Sequence, residues 1–502
     1  MDPTSQPLAQ ASPGVDAATG RNWLVLAAVV AAAVALRQVV VANTDVSWLL
    51  TVGEKVLAGQ ALYRDVIETN PPIAMLAYLP GLVLGRALHV RAETVIDVLT
   101  FAAIAASMLV TIAIARRTFA IDPARAWPVA IFTVAVLAIL PMQTFSQREH
   151  LALIALLPAL AALVARGNGA ALPAWAVAAA SLGCAITLAF KPYFVLGIGA
   201  GIVTAALHAR SWRVLFAPEH LIAAVLVALY GAFTAVAYPD YFTTVYPMVR
   251  DIYIPMKRPF AELVASPGVA VWLAALVLAL VLRPFGWAGL PVAVITAESA
   301  GFAAAYALQQ KGWAYQSYPM IALALIALAF AIAGLPTPAR GARPLRAGAM
   351  ALAVVLFVGG ATWMNDTSDA GALIAPVARL GPHPRILILT GEASIGHPLV
   401  RAVNGTWVSG QQDLWVHEFV ARIGRERALD ETTRARFATY EAEERARLID
   451  DIRRMPPDVL LIDNLLDDWG AWLNADPELS ELLKPFHRVE TVQKIDILAR
   501  DD

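Results

Sequence analysis

Charge and cysteine are what this chain has least of. Only 15% of its 502 residues are Asp, Glu, Lys or Arg, against 59% hydrophobic, where a soluble domain carries about 25% charged residues. With a mean hydropathy of +0.62, an ordinary soluble protein is excluded and a polytopic membrane protein remains. The formal net charge is -1, so nothing points to nucleic acid. A lone Cys184 excludes an intrachain disulfide and any paired-cysteine metal or redox motif. Lying in an apolar run, it reads as packing. Walker A, HExxH and GxSxG patterns are missing, which leaves an own ATPase, a zinc protease and an esterase without support. No internal repeat recurs at a fixed period.

What is present is a series of long apolar segments. The first, 23–42, is long enough to span a bilayer, since about 20 helical residues cover the hydrocarbon core. Further segments at 94–115, 126–141, 150–165, 171–190, 193–208, 220–238, 267–282, 287–307, 317–334 and 348–364 bring the expectation to about eleven spans. Residues 1–21 are rich in Pro, Ser and Ala and lack the basic start of a signal peptide, so they read as a disordered cytoplasmic tail. Segment 71–88, interrupted by Pro80 and Gly81, decides the parity of every later loop. If it does not span, Arg116, Arg117, Arg125, Arg166, Arg210, Arg213, Arg283, Arg340, Arg343 and Arg346 all face the cytoplasm. That is the bias the positive-inside rule expects, so 71–88 reads as non-spanning. The same parity places the loops at 43–90, 145–150, 190–194, 238–260 and 309–319, and everything after 364, on the outer face.

The tail 365–502 differs in composition. RILILTG (385–391) and DVLLIDN (458–464) are short strand candidates, 412–455 is a charged helical run, and 487–500 a final strand or hairpin. The expected fold is an α-helical polytopic membrane protein. It consists of a tail (1–21), a transmembrane domain (22–364) with juxtamembrane helices in 43–90, and a small extracytoplasmic α/β domain (365–502).

The segment NTDVSWLLTVGEKVLAGQALYRDVIETNPP, residues 43–72, places Asp45 and Asp65 where a membrane surface begins. Acids at that depth are costly unless they are paired or working, so both are candidate general bases. The plain alternative for Asp45 is a helix cap, and for Asp65 a turn beside Arg64. Tyr63 is an interfacial anchor or a substrate contact. Arg148, Lys191 and Lys311 stand at the ends of apolar segments, and Arg250 and Lys257 lie in the long 238–260 loop. Each is a candidate grip for a phosphate, or else a snorkelling or paired charge. Glu149 either neutralises Arg148 or accepts from a sugar hydroxyl. His150 stands at a helix start, and Trp313 and Tyr315 either stack on a sugar or join the aromatic belt. Asp463, Asp467 and Asp468 read as a cap or solvated turn, with acceptor binding as the alternative.

An acid directly after the first span, a juxtamembrane helix ending in G-x-x-x-Y-x-D, and a Pro-Pro step into another apolar helix resemble the first outer loop of GT-C glycosyltransferases. By pattern the loop is most similar to the protein-mannosyltransferase-like and lipid A aminoarabinose transferase-like branches. The resemblance implies a sugar donor carried on polyprenyl phosphate, with Asp45 as base and Asp65 next in rank. It implies a glycan, lipid or protein acceptor, and a multi-pass protein of the bacterial inner membrane with its C-terminal domain in the periplasm. Some members use a divalent metal. Here Val46 and Ser47 follow Asp45 where a second acid often stands, so a metal is not indicated. The competing expectation from another class is a lipid-linked glycan transporter that grips phosphate without breaking bonds.

Overall fold

The computed structural model describes residues 13–118, 123–282, 288–335, 343–365, 371–465 and 467–501. A helix stands at each expected span: Pro13–Arg37, Ala92–Thr118, Pro123–Ala138, Arg148–Gly167, Ala174–Phe190, Val195–Ala209, Pro218–Ala237, Pro267–Val281, Gly289–Gln309, Tyr318–Gly334 and Arg343–Met364. Among the described residues eight stretches are long and apolar enough to cross a bilayer, while 125–138, 174–190 and 267–281 are shorter apolar helices. The first helix begins at Pro13, so residues 13–21 extend it rather than forming a tail. Residues 1–12, Arg283 and Arg340 lie outside the described residues.

Burial ranks the helices. The most apolar windows of Arg148–Gly167 and Ala314–Gly334 are each 83% buried and form the centre, whereas Thr19–Arg37 is 6% buried and lies at the rim. Lipid tails give helices no hydrophobic reason to associate, so close approach depends on small residues. At Gly183 an added Cβ would stand 2.1 Å from the Ala155 carbonyl, and at Gly301 2.3 Å from that of Leu196.

Segment 71–88 is broken into Ile73–Leu76 and Leu79–Leu88. The longer piece has 10 residues, about 15 Å of helix against a hydrocarbon core of about 30 Å. Its Gly81 and Gly85 pack against Ile96, Val90 and Ala92, folding it back onto the next helix.

The C-terminal domain holds one five-stranded sheet of order β2-β1-β3-β5-β4. The strands are β1 (Arg385–Leu389), β2 (Thr406–Trp407), β3 (Val459–Asp463), β4 (Phe486–Val492) and β5 (Ile495–Arg500). β1 runs parallel to β2 and β3, and β5 pairs antiparallel with β3 and β4. The β4–β5 turn uses Gln493 and Lys494, both left-handed, as a two-residue hairpin of right-handed twist requires. Asp430 splits the charged run into Trp415–Glu426 and Glu431–Arg454 by accepting from the Thr433 N–H at 2.8 Å.

This domain is seated on the 43–90 loop. The Ile67 N–H donates to the Gly410 carbonyl at 2.8 Å. Arg401 forks onto Glu54 at 2.9 and 3.0 Å and reaches Glu93 at 2.6 Å. One apolar cluster joins Trp48, Tyr63 and Val66 of the loop to Ile388, Trp407 and Val416 of the domain.

Candidate active site

The juxtamembrane helix runs from Thr44 to Leu57, and its cap is Asn43, whose Oδ1 accepts from the Asp45 N–H at 3.0 Å. Asp45 is therefore not the cap; it lies in the first turn, where a carboxylate suits the positive end of the helix dipole. Gln147 caps the Arg148–Gly167 helix in the same way, accepting from the Arg148 N–H at 2.7 Å. The two helix starts meet. Arg148 Nη2 donates to Asp45 Oδ2 at 2.8 Å and Gln147 Nε2 donates to the same oxygen at 2.9 Å. Arg148 is 4% exposed, and its Nη1 has no hydrogen-bond partner among the described residues.

Directly behind this pair, Lys191 Nζ lies 2.5 Å from Glu149 Oε1 and donates to Gln309 Oε1 at 3.2 Å. Glu149 thus neutralises Lys191 rather than Arg148, because neighbouring residues on a helix point about 100° apart. Neither residue lines the cavity described below. His150 is fully buried. Its Nδ1 accepts from the Ser146 N–H at 3.0 Å and its Nε2 lies 2.7 Å from the Leu137 carbonyl, so both nitrogens are used in holding the helix start.

Three further expected residues stand away from the cavity. Asp65 accepts from the Ala61 N–H at 2.7 Å and closes a turn. The Tyr63 ring is buried and its hydroxyl donates to the Asn70 carbonyl at 2.7 Å. Arg250 is exposed and paired with Asp251 at 2.8 Å. The 238–260 loop is packed rather than open, with Val245, Met248 and Ile252 in the apolar cluster shared with the first loop.

Lys257, Lys311, Trp313 and Tyr315 do line the cavity, together with Arg258. Lys311 donates to the Tyr253 and Met256 carbonyls and lies 4.2 Å from the Tyr253 ring. Burial, then the charges of Lys257 and Arg422, bring its ammonium down to about 7. Trp313 and Tyr315 stack with centroids 5.8 Å apart and planes 24° apart.

The cavity holds about 620 Å³, within the usual range for a small-molecule site. Asp45, Glu68, Arg148, Lys311 and Tyr315 line it from the membrane side; Asp413, Trp415 and Glu418 line it from the C-terminal domain. Glu68 was not among the expected site residues. It accepts from Trp48 Nε1 at 2.6 Å and from the Asn70 N–H at 2.8 Å, and it is buried. Burial pushes its carboxyl above the usual range against the pull of Arg148 and Asn70. The available signal was an acid three residues before the Pro-Pro step. The Asp413–Glu418 wall was also missed; its signal was the aromatic residues opening the charged helical run. These acids do not fit a metal, because Glu68 is held by Trp48 and Asn70, and no group of three ligating residues forms among the described residues.

No protein-family model and no curated protein matches the chain. Solved structures do. ArnT from Cupriavidus metallidurans in the apo state matches with a TM-score of 0.58 at 15% identity, over 96% of this chain and 98% of that one. Its structure bound to undecaprenyl phosphate matches with a TM-score of 0.56 at 13% identity, over 98% of each chain. This chain has the ArnT fold. The arabinofuranosyltransferase AftD from Mycobacteria is similar at a TM-score of 0.47 and 15% identity, over 96% of this chain and 40% of AftD. At such identities the ArnT likeness concerns architecture, and the GT-C type of fold expected from the 43–90 loop is the one observed. In this chain the ArnT fold brings two helix starts and the C-terminal domain around one cavity.

Proposed function

We propose that the chain is a membrane glycosyltransferase of the GT-C kind, which takes a sugar from a polyprenyl-phosphate donor in the cavity beneath its C-terminal domain. One observation carries this reading: a buried Arg148 that lines the cavity beside Asp45, spends Nη2 on that acid, and has no hydrogen-bond partner for its buried Nη1 among the described residues. A buried guanidinium with an unused donor is costly unless a third group completes it, and a phosphate oxygen has the matching geometry. The ArnT structure with undecaprenyl phosphate supports the choice of lipid.

In the proposed reaction Asp45 removes the proton of an acceptor hydroxyl. The acceptor oxygen forms a bond to the anomeric carbon as the bond from that carbon to the phosphate oxygen breaks. The electron pair leaves with the polyprenyl phosphate, whose charge is met by Arg148, Lys311 and Lys257. A single displacement inverts the anomeric centre. Lys191, paired with Glu149, lies 5.5 Å from the Tyr315 ring and acts behind the site by keeping that ring in place. The site lies at the outer face of a bacterial inner membrane, and the acceptor is a glycan, a lipid or a protein.

The test is sugar release or transfer from synthetic polyprenyl-phosphate sugars by the purified protein. Turnover of one such donor is expected. Lipid binding without turnover of any donor would favour the transporter reading instead.

A further inference from the structure

The cavity has two chemically different walls. Opposite Asp45 and Arg148, the C-terminal domain presents aromatic rings with carboxyls set among them. Trp415 lies 6.2 Å from Tyr253 and 6.1 Å from Phe419, and Tyr253 in turn is 6.2 Å from Trp313. Rings from the membrane loops and from the C-terminal domain thus meet at Tyr253 as one continuous surface. Asp413 is 9% exposed and lines the cavity. Burial, then Glu392 and Glu444, push it well above the usual carboxylate range. Burial, then the neighbouring Asp467, raises Glu418 to about 7.

We infer that Asp413, Trp415, Glu418 and Phe419 form an acceptor subsite on the C-terminal domain, and that its ligand is a saccharide. This rests on the glycosyl-transfer reading above. Protonated or shared carboxyls both donate to and accept from hydroxyls, whereas a cationic ligand needs ionised ones. The rings offer flat apolar faces for the C–H faces of a pyranose or furanose. A plain lipid acceptor gains nothing from a buried carboxyl, which costs free energy when left without a partner. A saccharide held on this wall directs its hydroxyls across the cavity toward Asp45. The acceptor is then a glycan or the sugar portion of a glycolipid, rather than a polypeptide or a simple lipid.

The experiment uses the full chain and a radiolabelled polyprenyl-phosphate sugar that the wild type turns over. It offers three acceptors separately: bacterial envelope glycans with glycolipids, delipidated envelope protein, and vesicles of sugar-free phospholipid. Label is expected in the first alone. Trp415→Ala and Asp413→Asn are expected to raise the half-saturating concentration of that acceptor at least tenfold while the donor's moves less than twofold. Trp415→Tyr, which keeps a ring, is expected to restore most of the loss and so excludes simple misfolding. Label in protein or in sugar-free lipid would overturn the proposal, as would variants that change donor and acceptor saturation equally. If the wild type turns over no donor, the glycosyltransferase reading fails first, and this failure is distinct.

Discussion

The Arg148–Gly167 helix carries one arginine in its first turn and another in its last, each 2.8 Å from a carboxylate. Arg166 sits at the end where the helix dipole favours a cation. It meets Glu219 with two parallel bonds, Nε to Oε1 at 2.8 Å and Nη2 to Oε2 at 3.0 Å, so both oxygens of the buried acid are filled, and the arginine itself is partly exposed. Arg148 sits at the end where the dipole opposes it, holds Asp45 through Nη2 alone, lines the cavity, and leaves its buried Nη1 without a partner among the described residues. The residue types are alike, yet the first pair is closed and the second is open to a third group. A closed pair braces helices. An open one is poised to bind an anion, and it gathers its acid partner at the same place.

The comparison can be broken at either end. Asp45→Asn keeps the shape and removes the base, so turnover of donor is expected to fall by about 10²- to 10⁴-fold, with a lower melting temperature because the buried Arg148 loses its counter-charge. Initial rates and a thermal melt measured on the same preparation check this. Arg148→Gln is expected to cost about 10²-fold in turnover, the usual loss when a charge-stabilising donor is removed. At the other end, Arg166→Gln is expected to leave turnover within about twofold and to cost about 3 kcal/mol of stability, since it strands a buried Glu219. Equal losses of activity in the two arginine variants would erase the distinction.

The smallest effect concerns pH. The Lys311 ammonium, brought down to about 7, is charged below that pH and neutral above it. If it meets the donor phosphate, the donor KM rises a few-fold as pH increases through about 7, and Lys311→Arg, which stays charged, flattens the rise. A wild-type donor KM that is flat from about pH 6 to about pH 8 would remove Lys311 from the phosphate site.

Hydropathy and loop charge made the helical architecture legible, because a bilayer constrains both so strictly. Asp45, Arg148 and Lys311 stood out as charges at the ends of apolar runs, and all three line the cavity. What sequence did not contain was rotation. Whether Glu149 meets Arg148 or Lys191 depends on how the 148–167 helix is turned against its neighbours, and a local reading pairs the adjacent residues. Asp65 and Tyr63 carry the same local signals as Asp45 and Trp48, yet a turn closed onto Ala61 and Asn70 keeps them off the cavity. Glu68 escaped notice because the residue that orients it, Trp48, is 20 positions away. The Trp415–Phe419 wall becomes part of the site only when the sheet domain docks through Gly410 and Arg401.

The open arginine, not the closed one, is where we propose that a lipid phosphate binds. Native mass spectrometry of the detergent-solubilised protein with undecaprenyl phosphate, comparing wild type, Arg148→Gln and Arg166→Gln, measures this directly. Bound lipid phosphate is expected to fall at least tenfold in Arg148→Gln and to be retained in folded Arg166→Gln. Wild-type binding in Arg148→Gln would contradict it.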